Sequence, residues 1–270
     1  MNQFVGRDGI YMQTFPDNSK YINLGSSLLI TGGYINKQMT NMCSTVIVSR
    51  NEKTNEFEAI AINYGKMIEG RERHNIVYLD DRKSVLVCSG FFNKNSEITN
   101  LEQGDWRQLP QMNEVRGNAT IAYVNKRYVY VIGGYKIPDT RMGPGIYLGD
   151  CEYFDLNEEN KGWRSIKFWD NRLKLSAMGV VPYDNHTFII CGGYDGAQYK
   201  KDAYKVVVDD KDNPTVEKLV NTLPDCFIFL HNTFLKNGDV AVNLDLRNNA
   251  VIMSLTNFKT KIESYNVGLN

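Results

Sequence analysis

The chain has 270 residues, with 31 basic and 31 acidic side chains and a formal net charge of zero. A dedicated nucleic-acid binder needs a positive field to neutralise phosphates, so that role is excluded. With 42% apolar and 23% charged residues the composition is that of a folded globular protein, and disordered or fibrous classes are excluded as well.

At the start, Met1–Asp8 brings an acid and a base before any apolar run can form, so no secretory leader is expected. The uncharged stretch Tyr21–Asn36 is too short and too polar to cross a bilayer, and no membrane role is expected. Five cysteines (Cys43, Cys88, Cys151, Cys191 and Cys226) are an odd set without zinc spacing or a CxxC pair. They predict reduced thiols and a cytoplasmic location.

Along the rest of the chain the apolar pattern is strand-like almost throughout. An isolated strand is predicted at Gly9–Phe15, as a cap or the remnant of an extra unit. Short apolar runs follow, such as Ser84–Cys88, Ala119–Val124, Tyr128–Ile132 and Thr187–Cys191. They are rich in β-branched and aromatic residues and bounded by Gly, Asn and Asp. No long window shows capped helical periodicity, so the chain is predicted to be nearly all β.

The runs recur in groups. A buried-looking strand ends in a small pair and an aromatic four times: Gly32-Gly33-Tyr34, Ser89-Gly90-Phe91, Gly133-Gly134-Tyr135 and Gly192-Gly193-Tyr194. The second small residues lie 57, 44 and 59 positions apart, and each interval holds four strand-like segments. After the pair at 133–134 come a Pro- and Gly-containing loop, the strand Cys151–Leu156 and then Gly162-Trp163-Arg164. The unit before it ends Asp105-Trp106-Arg107-Gln108-Leu109-Pro110-Gln111-Met112, with Arg116 following.

This combination resembles the kelch repeat. A strand closed by a diglycine, an aromatic after it, a Tyr-Asp-like third strand, a Trp opening the fourth, and a later Leu-Pro-x-Met and Arg all belong to that pattern. The likeness is tightest over residues 76 to 194 and looser from about 20 to 240. The first unit has Phe57 where Trp is usual, the second has Ser89 for the first glycine, the fourth has Val216 at the Trp position, and the fifth lacks both diglycine and Trp. The resemblance implies one all-β domain over 1–270, a kelch-type β-propeller of about five to six four-stranded blades. The blades are expected at 19–65, 74–110, 119–168, 176–220 and 227–265, with 1–18 as an extra strand or cap.

The resemblance also implies a binding mouth built from two loop sets. One follows the small pairs: Tyr34 and Asn36, Phe91, Tyr135 and Tyr194. The other joins successive blades: Arg71, Arg73, His74 and Asn75, then Arg116 and Asn118, then His231. Guanidinium groups converging there would favour a protein or peptide partner with acidic side chains.

Catalysis has no motif to stand on. Three histidines, no GxGxxG, P-loop, HExxH or GxSxG, and no Asp-box repeats leave no metal, cofactor or catalytic residue to name. The expectation is a non-catalytic interaction module or scaffold, as in the substrate receptors of ubiquitin ligases or in cytoskeletal assemblies. The alternative is a kelch-type carbohydrate enzyme, a sugar epimerase or a sialidase-like hydrolase. The run Asp209-Asp210-Lys211-Asp212 is expected to be an exposed turn.

Overall fold

The computed structural model describes residues 4–5, 11–12, 16–25, 27–50, 52–53, 55, 57–138, 144–166, 171–229, 235–237, 240–244, 249–256 and 260–264. Among them there is no α-helix, only three single turns of 3-10 helix. No helix is long and apolar enough to cross a membrane. The expected all-β class holds, and the strands assemble into four-stranded antiparallel sheets.

Five such sheets are present among the described residues, each taking its strands in chain order. The first contains Lys20–Asn23, Ser27–Thr31, Met42–Arg50 and Phe57–Lys66. The second contains Asn75–Leu79, Ser84–Cys88, Ser96–Asn100 and Trp106–Leu109. Thr120–Val124, Tyr128–Ile132, Cys151–Asp155 and Arg164–Ile166 form the third. The fourth is Gly179–Pro182, Thr187–Cys191, Ala203–Val207 and Thr215–Lys218. The fifth is Leu235–Asn237, Val240–Leu244, Asn249–Ser254 and Thr260–Ser264. Of the isolated strand expected at 9–15, Tyr11–Met12 is described and pairs with Phe4–Val5.

The chain divides into two compact units, Met1–Leu109 with the first two sheets and Pro110–Asn270 with the other three. In the first unit Ile22, Leu29 and Cys43 pack with Met67, Ile76, Val85 and Val87, and Trp106 rests against them. In the second, Tyr130, Ile132 and Tyr153 of the third sheet meet Val180, Ile190 and Tyr204 of the fourth. The opposite face of the fourth sheet, with Val181, Ile189 and Cys191, packs on Phe227, Phe229, Met253 and Leu255. A sheet covered on both faces explains why Tyr128–Ile132 and Thr187–Cys191 read as solid apolar runs and not as alternating ones.

Local chemistry sets the turns. Asn125 and Lys126 both take positive φ (56° and 50°) in the tight hairpin between Val124 and Arg127. Arg127 then grips Asp155 with two hydrogen bonds, Nε to Oδ1 at 2.8 Å and an η nitrogen to Oδ2 at 2.7 Å. The third-strand Tyr-Asp pattern thus has a physical use, closing the hairpin end of the sheet. Trp163 is buried against Phe154, with ring centroids 5.1 Å apart, and its indole N–H donates to the Pro110 carbonyl at 3.1 Å.

The small pairs are required by close backbone approach. Gly192 has φ of 68°, and a Cβ there would lie 2.7 Å from the Phe227 carbonyl oxygen. Gly25 also has positive φ (91°), but a Cβ there would meet nothing within 4 Å. Gly192→Ala is therefore expected to cost about 3 kcal/mol, from a steric clash added to left-handed strain, and Gly25→Ala only about 1 kcal/mol. Urea denaturation of the two variants checks this, and equal losses would contradict the close-approach account.

Candidate functional site

The connections between sheets carry the arginines expected at a binding mouth. Two of them, Arg71 and Arg116, are fully buried. Arg71 donates to the Ser89 carbonyl at 3.1 Å and the Asn95 carbonyl at 2.9 Å, and pairs with Glu97. Arg116 donates to the carbonyls of Gly133 (3.0 Å) and Asp150 (3.3 Å), to Asp150 Oδ1 at 2.9 Å and, through Nε, to Glu152 at 3.0 Å.

The glutamates are equally enclosed. Glu97 accepts the backbone N–H groups of Ile68 (2.6 Å) and Glu69 (3.2 Å). Glu152 accepts those of Asn113 (2.7 Å) and Glu114 (3.1 Å). Each carboxylate therefore neutralises its arginine and ties down the loop that delivers it. Burial opposes the charge on Arg116, but Glu152 and Asp150 outweigh it and hold its pKa above the ordinary value. With no exposed surface, these two guanidinium groups fasten loop to sheet and present nothing to a partner here.

The other linker residues also face inward. His74 is buried, its Nε2 2.8 Å from the Thr31 hydroxyl. Asn75 is buried and donates to the Cys88 carbonyl at 3.4 Å. Asn118 takes a left-handed conformation (φ 47°), and its carbonyl accepts the Ala177 N–H at 2.8 Å. Arg73 is half-buried, has φ of 50° and lies over the Phe91 ring at 4.6 Å, a cation–π contact. His231 lies outside the described residues.

Beside Arg73 sits Lys20, buried at the start of the first strand. Burial, and after it the Arg73 charge, push its pKa down to about 7. The folded chain thus releases this proton near neutral pH, while the unfolded chain holds it to about 10.5. Between those values the unfolded state binds more protons, so the penalty for charging Lys20 fades as pH rises and is complete below about 7. Lys20→Met is expected to stabilise the chain most at and below neutral pH, with the advantage shrinking by up to about 1.4 kcal/mol per unit above it. Thermal melts from pH 6 to 10 test this, and an advantage independent of pH would refute it.

The loops after the small pairs behave differently. The first tyrosines are held by paired backbone bonds: Tyr34 with Asp17, Tyr135 with Gly117 and Tyr194 with Ser176. Asn36 and Lys37 supply the two positive-φ residues of the hairpin joining Tyr34–Ile35 to Gln38–Met39. Tyr34, Ile35 and Met39 are exposed there, as is Phe92 beside the half-buried Phe91. In the second unit the hairpin of Tyr135–Lys136 with Ile146–Tyr147 exposes Ile146, and the loop after Tyr194 exposes Tyr199.

Ten large apolar side chains are markedly exposed among the described residues. Six of them, Tyr34, Ile35, Met39, Phe92, Ile146 and Tyr199, lie in connections between the second and third strands of a sheet. They recur at one topological position in four sheets, and contiguous exposed apolar residues, rather than single scattered ones, are what mark an interaction surface.

Sequence reasoning missed Tyr147 and Tyr199, which complete an aromatic array. Tyr135 stacks on Tyr147 with centroids 5.7 Å apart and planes at 21°. Tyr147 meets Tyr194 edge-on at 5.8 Å, and Tyr194 lies 4.9 Å from Tyr199. Neither residue stands next to a small pair, so only the hairpin geometry reveals them. The Asp209–Asp212 run is also more than an exposed turn. Tyr130 donates its hydroxyl to the Lys211 carbonyl at 2.7 Å, and Tyr153 donates to Asp212 at 2.6 Å.

Chemistry-bearing clusters are few. Among the described residues no group of three or more His, Cys, Asp or Glu side chains has the arrangement of a metal site. Burial pushes the Cys43 thiol up to about 12 and raises those of Cys151 and Cys191, so all three stay protonated at neutral pH.

No protein-family model matches the chain, and a search of curated proteins finds no similar sequence.

The buried ion pairs carry a direct test. Arg116→Ala leaves Glu152 charged and enclosed, and is expected to cost about 3–5 kcal/mol in urea denaturation. The double variant Arg116→Met/Glu152→Gln removes both charges, keeps an acceptor oxygen for the loop N–H groups and should recover part of that loss. A single variant within about 1 kcal/mol of the parent would remove Arg116 from its fastening role.

Proposed function

We propose that this chain is a kelch-like β-propeller that works as a non-catalytic protein-interaction module. The observation that carries the proposal is the concentration of exposed aromatic and aliphatic side chains in the loops between second and third strands. Four-stranded antiparallel sheets with diglycine closures, a buried Trp163 and a loop-fastening Arg116 support the kelch-like part of the reading.

The partner surface in this reading is apolar and tyrosine-rich, not an arginine cluster. Arg71 and Arg116 are consumed by Glu97 and Glu152. Of the arginines expected at the mouth, Arg73, stacked on Phe91, is the one left half-buried.

Affinity purification with substituted loops tests the reading. Partners recovered by the parent chain should be lost with Ile35→Ser/Met39→Ser or with Ile146→Ser/Tyr199→Ser. They should persist with Ile47→Ser/Ile60→Ser, which alters two exposed residues paired across strands of the first sheet. Retention by both loop variants, or equal loss with the strand variant, would sink the loop assignment.

A further inference from the structure

Five exposed large apolar side chains of the first unit gather at one end of its two sheets. Antiparallel strands taken in chain order place the connection between second and third strands at the same end as the connection that leaves the sheet. Tyr34, Ile35 and Met39 lie in such a connection of the first sheet, Phe92 in that of the second, and Ile68 in the connection between the two. The backbone joins these segments. Arg71 donates its N–H to the Thr40 carbonyl at 3.2 Å and its guanidinium to the carbonyls of Ser89 (3.1 Å) and Asn95 (2.9 Å). Ile68 is held through its N–H on Glu97 at 2.6 Å, and Phe92 meets Phe91 edge-on with centroids 5.8 Å apart.

The hairpin of Tyr34–Ile35 with Gln38–Met39 projects from this end. Tyr34 pairs with Met39 and Ile35 with Gln38, so Tyr34 and Met39 share one face of the ribbon and Ile35 lies on the other. Every residue of 34–39 is exposed, so both faces meet solvent. The base is rigid. Tyr34 and Asp17 exchange backbone bonds of 2.6 and 3.0 Å, and the Thr40 N–H returns to the Gly33 carbonyl at 2.9 Å. Apolar side chains on both faces of a preformed ribbon suit a medium that surrounds it, whereas a flat protein face would cover one side.

The exposed charges at the same end are mostly basic among the described residues. Lys37 at the hairpin tip, Lys66 closing the fourth strand and Lys94 in the loop of Phe92 are all exposed. Arg73, half-buried, lies over the Phe91 ring at 4.6 Å. Against these stand the exposed Asp17 and the half-buried Glu69, which accepts the Asn95 amide. Glu72 and Glu97 are buried, bound to Asn18 and Arg71. A lysine rim around an apolar ribbon complements a surface that is anionic outside and apolar within.

We propose that this end of the first unit docks on an anionic lipid bilayer, with the 34–39 ribbon entering the interface. The inference goes beyond the protein-interaction reading. It gives the loops of the first unit a lipid surface and leaves those of the second to a protein. Two residue pairs at about 3.4 Å each carry the ribbon about 7 Å outward, within the depth of about 5–10 Å at which amphipathic segments lie between headgroups and acyl chains. Tyrosine is favoured at that depth, and the Lys37 stem can lie along apolar surface while its ammonium stays among the phosphates. Lys66 and Lys94 add an attraction to anionic headgroups that reaches about 10 Å and weakens with salt. No segment has to cross the bilayer for this.

The test is co-sedimentation of the purified full chain with phosphatidylcholine vesicles, with and without about 30% phosphatidylserine. The chain should pellet with the anionic vesicles and stay in solution with the neutral ones, and raised salt should release it. Lys37→Gln/Lys94→Gln should weaken binding about tenfold, and Ile35→Ser/Met39→Ser by at least about tenfold. All four side chains are exposed, so both variants keep the fold, and Phe92→Ser repeats the apolar test from the other loop should the hairpin variant prove unstable. Ile47→Ser/Ile60→Ser, in the half of the first sheet away from these loops, should bind as the parent does. A parent chain left in solution with both vesicles overturns the proposal, and if Ile35→Ser/Met39→Ser still abolishes partner recovery the patch belongs to a protein. Equal binding to neutral vesicles overturns it too. So does anionic binding unchanged by Ile35→Ser/Met39→Ser and by Phe92→Ser, because charge alone then suffices. If anionic vesicles pellet the chain as expected while every loop variant keeps its protein partners, the interaction reading fails and the lipid proposal stands.

Discussion

A backbone carbonyl held against the second residue of a small pair organises the first, third and fourth sheets of this chain. Gly33 donates its N–H to the Arg71 carbonyl at 2.8 Å, Gly134 to that of Leu175 at 2.8 Å and Gly193 to that of Phe227 at 2.7 Å. Each acceptor lies in the connection that leaves its sheet for the next. The same carbonyl stands 2.4 Å from where a Cβ on Gly32 or Gly133 would go and 2.7 Å from one on Gly192, while a Cβ on the second glycine would meet the segment that enters its own sheet. Turn geometry, sheet succession and loop placement all follow from that contact.

The same position explains the arginines. Arg71 offers its carbonyl to Gly33 of one sheet and its side chain to Ser89, Asn95 and Glu97 of the next. It is a two-ended fastener. Leu175 keeps the backbone role, and its side chain joins the apolar core between the third and fourth sheets. The fold therefore fixes the carbonyl and lets the side chain be ionic or apolar. Where it is ionic, a buried glutamate must face it, because an isolated guanidinium in that space would be too costly to keep charged.

This is also where the sequence was legible and where it was not. All-β character showed in the solid apolar runs, and the grouping of strands by fours showed in the recurring small pairs. Arg71 and Arg116 stood out as well, but their burial did not. A lone arginine in a polar linker looks the same whether it reaches solvent or a glutamate far along the chain, and Glu97 and Glu152 sit in third strands that hold other polar residues and so do not stand out. Tyr147 and Tyr199 stayed hidden for a different reason. Their neighbours are set by hairpin pairing across a loop, which has no fixed spacing for a sequence pattern to reveal.

The division of labour that results has a physical logic. Among the described residues, the connections between sheets are fastened by ion pairs and carbonyl bonds at Arg71 and Arg116. The connections between second and third strands are anchored at both ends, through the paired bonds at Tyr34, Tyr135 and Tyr194 and through Thr40, Leu148 and Lys200, whose N–H groups return to the carbonyls of Gly33, Gly134 and Gly193. Between those anchors the length differs, from the tight turn at Asn36-Lys37 to the longer excursion between Lys136 and Ile146. Exposed apolar side chains are costly to solvate, and their recurrence in these loops is the basis of the interaction reading proposed above. Tyrosine suits that position because its ring supplies contact area at small entropic cost while its hydroxyl keeps the uncovered surface soluble.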